Sequence, residues 1–262
     1  MKTTAKVIAD SISPEGKRLT TLELQYPRIV HAELLTHRVF SRNASSSRAI
    51  PVLTVLAHIF KNMFVPSYWG ATQKGMQAKK ELPYIRRKLA IGLWRIGVLI
   101  NLFGSYLLYL LGVHKQLANR NTEYGSYIKV LVTATDFNNW FNLRTHSDAQ
   151  PEIRVLACKM QLALQISNPK KLNYGEWHTP YMDKYLFDIE KTKKISASCC
   201  AQVSYRKIDK SSAIALKIFN KLIHSKPRHS SPFEHVATPM VGKHGNFNGW
   251  FQYRQEIENA NR

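Results

Sequence analysis

Apolar and polar residues alternate along residues 6–12 and again along 20–25, the period-two pattern of half-buried strands. Pro27 ends the second strand, and residues 28–37 take up a short helical spacing that leads into a polar loop closed by Pro51. Helical spacing returns over 52–64. Residues 66–77 read as a loop, and a long helical stretch runs from about 81 to 119. Residues 125–142 begin β-branched and end helical, and 150–166 form an amphipathic helix. A linker over 169–180, punctuated by Asn-Pro and Tyr-Gly, precedes a strand over 195–205. Residues 211–224 form a last helix with Ile214, Ile218 and Leu222 on its apolar face and Ser211 as its cap. No low-complexity tract interrupts this mixture of strands and helices, and no internal repeat beyond a possible duplication at the chain's two ends.

At 262 residues and 44% apolar composition, the chain can bury a substantial core as one domain or two closely packed ones. Three cysteines, Cys158 and the adjacent Cys199 and Cys200, offer neither a disulfide framework nor a metal spacing, and fit structural roles in a reducing compartment. The first eleven residues lack the continuous apolar core of a secretory leader, so a cytoplasmic location is expected. Lys and Arg number 38 against 17 Asp and Glu, a net charge of +21. That excess attracts polyanions without choosing among nucleotides, nucleic acid and acidic membranes. Its dispersion, in small clusters such as Arg86-Arg87-Lys88, argues against a single nucleic-acid-binding arm, and no helix-turn-helix, zinc-finger or RNP signature is present.

The density of polar groups peaks in residues 36–48, Thr-His-Arg-Val-Phe-Ser-Arg-Asn-Ala-Ser-Ser-Ser-Arg. Three guanidiniums, an imidazole, an asparagine and five hydroxyls within thirteen residues are the donors that a phosphate-bearing ligand needs, and also what a solvated basic loop contains. The spacing His37-Arg38, Ser41, Asn43, Ser46, Arg48 resembles the signature of the flavin-dependent thymidylate synthases. Three further islands resemble the same family: Asn139 to Arg144 with Ala149-Gln150-Pro151-Glu152-Ile153; Ala201-Gln202-Val203-Ser204-Tyr205; and His229-Ser230-Ser231-Pro232-Phe233-Glu234-His235. Their order differs, because the last two islands precede the signature in the family and here follow everything else. The chain reads as a circular permutation, which a fold tolerates when its original termini lie close together at the surface. Residues 250–254, Trp-Phe-Gln-Tyr-Arg, stand where the family signature would begin again. This suggests a tandem duplication later trimmed at both ends, or else a tail similar only in composition.

The resemblance implies an α+β fold, an antiparallel sheet flanked by helices, circularly permuted within a single domain over 1–262. The signature loop is 36–48, the helical region 81–166 and the permuted flavin and folate segment 195–240. It implies a homotetramer with active sites between subunits, and C5 methylation of dUMP with FAD, NADPH and 5,10-methylenetetrahydrofolate. The cofactor carries the hydride chemistry and the protein supplies binding and electrostatics. By position, His37, Arg38, Asn43, Asn139, Ser204, His229, Ser231 and Glu234 correspond to flavin or folate contacts. Ser46, Ser47 and Arg48 correspond to the dUMP phosphate site, with Arg120 one residue away from the family's second phosphate arginine. Arg144 corresponds to the arginine that polarises the uracil ring; an ion pair with Glu152 is the structural alternative. The family helix ending at Gly112-Val113 and Ala118 is buried, which implies a core helix over 89–113 rather than a stable membrane insertion, with interfacial attachment as the alternative.

Several positions depart from the family. Thr36 replaces an arginine, Ala44 a glutamate, Thr133-Ala134-Thr135 an Asn-Ala-Arg, and Asn119 the second phosphate arginine. Each lost charged contact costs about 2 kcal/mol of ligand binding, and Arg42 and Arg254 are candidate replacements. Glu33 stands in place of a substrate-binding glutamine. An ionised carboxylate only accepts hydrogen bonds, which suits the amine of cytosine, so dCMP as substrate or hydroxymethyl transfer is an alternative. A non-catalytic, polyanion-binding protein on the same scaffold is the rival from another class.

Overall fold

The computed structural model describes residues 2–182, 188–205 and 208–259. The two N-terminal alternating segments are strands β1 (Thr4–Ile12) and β2 (Arg18–Pro27), paired antiparallel through the turn at Gly16. After a short helix α1 (His31–Leu35), the signature region supplies strand β3 (Ser41–Ala44). Helices α2 (Val52–Lys61), α3 (Tyr84–Leu110) and α4 (Lys115–Ala118) follow, then β4 (Tyr127–Ala134), α5 (Asn138–Arg144) and α6 (Pro151–Ile166). A two-residue strand β5 (Lys170–Lys171) joins the edge of the sheet, whose order is β3-β4-β2-β1-β5. Every ladder is antiparallel except β1 with β5. The expected mixed architecture is therefore present, with one short parallel edge.

Alternation in β4 explains how the sheet is covered on both faces. Ile128, Val130 and Val132 point into the larger core with Leu22, Leu24 and α6, while Leu131 points the other way into a core with Ile195, Cys199 and Val203. All of these side chains are at most 1% exposed, and burial of each contributes about 1.5–3 kcal/mol. The second face is covered by α7 (Ile189–Gln202) and α8 (Ser212–His224). A hairpin of β6 (Ala237–His244) and β7 (Phe247–Gln252) and the helix α9 (Tyr253–Asn259) complete the described chain. Residues 260–262, which follow the 250–254 segment singled out above, lie outside the described residues.

Three sequence expectations change. Residues 195–205 are not a strand: they lie in α7 and a 3-10 turn at Val203–Tyr205. Thr192, Lys193 and the run from Ile195 to Cys200 are all buried, so the helix shows neither a polar stripe nor an apolar one, and no period for a sequence reading to find. Helix α8 buries Ala215 and Phe219, with Ile214 exposed, and the Ser211 side chain makes no capping bond; its apolar face is turned from the one expected. Helix α3 is no buried core helix. Only Val98, Leu102 and Ser105 are buried, against α2 and a 3-10 turn at Asn119–Gly125, where Gly125 lies so close to Val98 that a Cβ would collide with it. By length and composition α3 is apolar enough to cross a membrane.

Candidate active site

The signature loop is a braced backbone cradle. Ser45 N donates to Lys129 O at 2.7 Å, and the Ser46 Oγ accepts from Arg48 N at 3.2 Å, capping the turn Ser47–Ala49. Below it, Asn119 is fully buried and its Nδ2 donates to the carbonyls of Ser47 (2.7 Å) and Ile50 (2.9 Å). Where the family has a phosphate arginine, this chain has an amide that holds the loop's shape. Glu123 is the second brace: its Oε1 accepts from Ser47 Oγ and Arg120 Nη1 at 3.0 Å and from Arg28 Nη1 at 3.1 Å. Ser47 is therefore turned inward and committed to Glu123. Arg48 and Arg120 are exposed and line one open cleft of about 550 Å³ with Val113, His114, Gln116 and Leu117.

Arg144, at the last turn of α5, reaches back to α1 and its exit. Its Nη1 donates to Glu33 Oε2 at 2.8 Å, its Nε to His37 Nε2 at 3.4 Å and its Nη2 to Thr36 Oγ1 at 3.5 Å. The expected alternative partner was wrong: Glu152 takes Ser67 N and the Gln150 amide instead. Thr36 and Glu33, two departures from the family pattern, are thus the seat of Arg144. An arginine at 36 would repel it, and Glu33 supplies the balancing charge. His37 is buried between Phe40, stacked at a centroid distance of 5.8 Å, and the edge of Trp140 at 4.8 Å. Burial, then Arg144 and Arg42, hold its pKa below the usual value, so it is the neutral acceptor for Arg144. Trp140 Nε1 in the same cluster is buried without a hydrogen-bond partner.

The C-terminal segments meet this loop directly. Ser46 N donates to Ser204 O at 3.3 Å, Asn43 Nδ2 to Cys200 O at 3.4 Å and Ser204 Oγ to Ala44 O at 3.5 Å. The turn Ser231–His235 packs against β3, and Gln252 Nε2 bonds Ser41 Oγ at 3.2 Å and Asn246 Oδ1 at 2.9 Å. Of the candidate replacement arginines, Arg254 pairs with Glu234 and Glu258, and Arg42 spends one N–H on Leu35 O. Asn43, Ser204 and Glu234 are likewise engaged by protein groups. Arg38, Asn139, His229 and Ser231 are exposed.

Beneath the site runs a buried chain that the sequence did not reveal. Ser11 Oγ bonds His178 Nδ1, His178 Nε2 bonds Thr21 Oγ1 (both 2.8 Å), Thr21 bonds Thr133 Oγ1 (2.7 Å), and Thr133 bonds His235 Nδ1 (2.8 Å). Thr133, where the family has an asparagine, is a link in it. Burial pushes both imidazoles down to about 3, and His235 Nε2 has no partner. His178 sits in the stretch read as a linker, where a lone histidine carries no periodic signal. Among the described residues, no group of three or more His, Cys, Asp or Glu could hold a metal ion.

No family model and no curated protein sequence matches the chain. Among solved structures, it is similar to a UMP/dUMP methylase, PolB from Streptomyces cacaoi, bound with 5-Br dUMP: 15% identity, TM-score 0.52, over 62% of this chain and 90% of that one. The same methylase bound with 5-Br UMP gives 16% identity and TM-score 0.52, over 62% and 88% of the two chains. At these identities the likeness is one of fold.

Proposed function

We propose that this chain methylates the C5 position of a uridine nucleotide, dUMP or UMP, as a permuted relative of the flavin-dependent thymidylate synthases. The observation that carries the reading is convergence: His37 to Arg48, Arg144 and Cys200 to Ser204 meet around one loop, although Asn43 and Cys200 are 157 residues apart in sequence. The fold likeness to a UMP/dUMP methylase supports the same reading. The bonds between the 200–204 segment and the signature loop also support the permuted order.

In this reading Arg48 and Arg120 hold the nucleotide phosphate in their shared cleft, with the backbone of the Ser46–Arg48 turn beside them. A guanidinium fork suits a dianion. Arg144 uses three of its five N–H groups on Glu33, His37 and Thr36, which fixes its plane and leaves two for the pyrimidine. A permanently protonated donor aimed at the ring stabilises negative charge developing there during attack from C5. His37, kept neutral, orients Arg144 rather than competing with it for the substrate. Arg38, Asn139, His229 and Ser231 would hold the flavin. A bound flavin would supply the redox chemistry, linking NADPH to reduction of the one-carbon unit from methylenetetrahydrofolate. Glu33 Oε2 accepts from Arg144, and uridine nucleotides, the kind bound by the similar methylase, are the proposed substrates.

The test is turnover. The purified chain with FAD, NADPH, methylenetetrahydrofolate and dUMP, UMP or dCMP is expected to give a nucleotide heavier by one methylene unit from the uridine substrates. Absence of product from all three, with nucleic-acid binding that weakens steeply from low to physiological salt, would establish the non-catalytic reading that the +21 charge favours.

A further inference from the structure

Helix α3 carries two apolar faces, and only one of them is used. Toward the protein, Trp94 Nε1 donates to Phe64 O at 2.9 Å and Ser105 Oγ to Ala118 O at 2.9 Å, while Val98 and Leu102 pack against Val55 and Ile59. On the opposite side Leu89, Leu93, Ile96, Ile100, Phe103 and Leu110 are between 54 and 70% exposed. Leu99 and Tyr106, each 41% exposed, widen that side to a sector of about 140° along about 40 Å of helix. Between its edges every position is Ile, Leu, Phe or Gly. We propose that this face lies in the plane of an anionic lipid surface and attaches the protein to it.

Charge chooses that occupant. Residues 34–122 hold thirteen Lys and Arg and a single acid, Glu81, which is bonded to Arg87 at 3.0 Å. Lys88 and Arg95, both exposed, stand along one edge of the apolar sector, and the exposed Arg86 along the other. A long basic side chain at the rim of an apolar face lays its methylenes on the acyl boundary and its charge on a headgroup phosphate. Lys88 Nζ also sits over the Tyr84 ring at 4.4 Å, an amphipathic aromatic of the kind that suits the headgroup level. Lys115 and Arg120 follow the far end of the helix, so cations bound the face on its sides and at both ends.

Other occupants fit less of this. A second α3, in either direction, would bring cations against cations with no acid to offset them. Nucleic acid would meet the cations and leave the apolar sector between them wet. A helical partner packs on a narrow seam, whereas this face is broad and has no polar group to set a register. Monomers seldom leave a contiguous apolar surface of this size in water. Crossing a membrane, for which α3 is long and apolar enough, would require it to leave its inner packing and the hydrogen bonds of Trp94 and Ser105. Lying in the interface keeps all of them. The attachment does not depend on the nucleotide site.

The experiment is flotation of the full chain with vesicles of phosphatidylcholine alone and of equal parts phosphatidylcholine and phosphatidylglycerol. At physiological salt the wild type is expected to float with the anionic vesicles and to stay in solution with the neutral ones. Ile100→Glu with Phe103→Glu sets charge in the middle of the face and is expected to abolish flotation while leaving far-ultraviolet dichroism and thermal unfolding unchanged. Arg86→Gln, Lys88→Gln and Arg95→Gln keep the face and remove its flanking charge, and each is expected to weaken attachment about fivefold. A wild type that floats with neither vesicle would overturn the proposal, the face then being covered by another protein or a second copy. Equal flotation with both vesicles would overturn its anionic part. Anionic flotation that the double glutamate variant retains would also overturn it, being attraction to the +21 chain as a whole. So would resistance of the membrane-bound chain to alkaline carbonate, which marks a spanning helix. Nucleotide turnover without vesicles is expected to be unchanged in every variant, and its absence from the wild type would count against the proposed function alone.

Discussion

Arg144 draws its partners from residues that a family comparison marks as losses. Thr36 accepts from it and Glu33 balances its charge, so the two departures act as one substitution seen from the arginine. His37 completes the seat, and its depressed pKa keeps a lone pair turned toward Arg144. The expected outcome for Arg144→Ala is loss of methyl transfer with flavin content largely intact, measured by product formation and by absorbance of the purified variant. Full activity would remove Arg144 from its role. The pairing of Arg144 with residues 33–37 was not legible in the sequence, because it joins positions more than a hundred apart with no shared period. The identities of His37, Arg48 and Arg144 were legible, since their chemistry stands out against the surrounding apolar runs. The fate of Glu234, Ser204 and Asn43 was not: each is a polar residue in a motif, and only the fold shows that Arg254, Ala44 and Cys200 engage them.

At the level of elements, the signature loop owes its shape to what lies beneath it. The Asn119 amide spans the carbonyls of Ser47 and Ile50, and Glu123 ties Ser47 to Arg28 and Arg120. Removing the amide leaves two inward-facing carbonyls without their donor, at a cost of about 1–3 kcal/mol. Asn119→Ala should therefore lower Tm by several degrees and weaken dUMP binding, read by thermal unfolding with and without nucleotide; an unchanged affinity would detach the loop from substrate binding. Helix α6 was readable because it has one wet face and one dry one, and β1 and β2 because apolar and polar residues alternate along them, although β2 lies inside the sheet with most of both its faces buried. Helix α7 was read as a strand because it is wrapped on all sides, and α3 as a core helix because a second apolar face mimics complete burial. Hydrophobicity reports that a surface is dry, not what dries it.

Across the whole molecule, the sheet shields a chain of hydroxyls and imidazoles from Ser11 to His235. Both histidines are held near 3, well below the ordinary 6.5, so between those values the unfolded chain binds protons that the folded chain refuses. The stability tied to their neutrality is complete above pH 6.5 and is lost as pH falls toward 3, by roughly 1.4 kcal/mol per unit for each histidine. Tm is expected to drop steeply from pH 6.5 to 5, and a His178→Gln variant to show a shallower drop; a flat wild-type profile would contradict this. The α+β layout was visible from the alternation of strand and helix periods, whereas the docking of the C-terminal hairpin on β3 through Gln252 and Ser41 has no local signature. The central claim, that a permuted chain rebuilds a flavin and uridine-nucleotide site around one loop, is met most directly by the visible absorption spectrum of the purified protein, before and after addition of FAD and dUMP. An oxidised-flavin band that co-purifies or forms on addition, and shifts when dUMP is added, is the result this account requires; a colourless protein that takes up no added FAD would contradict it.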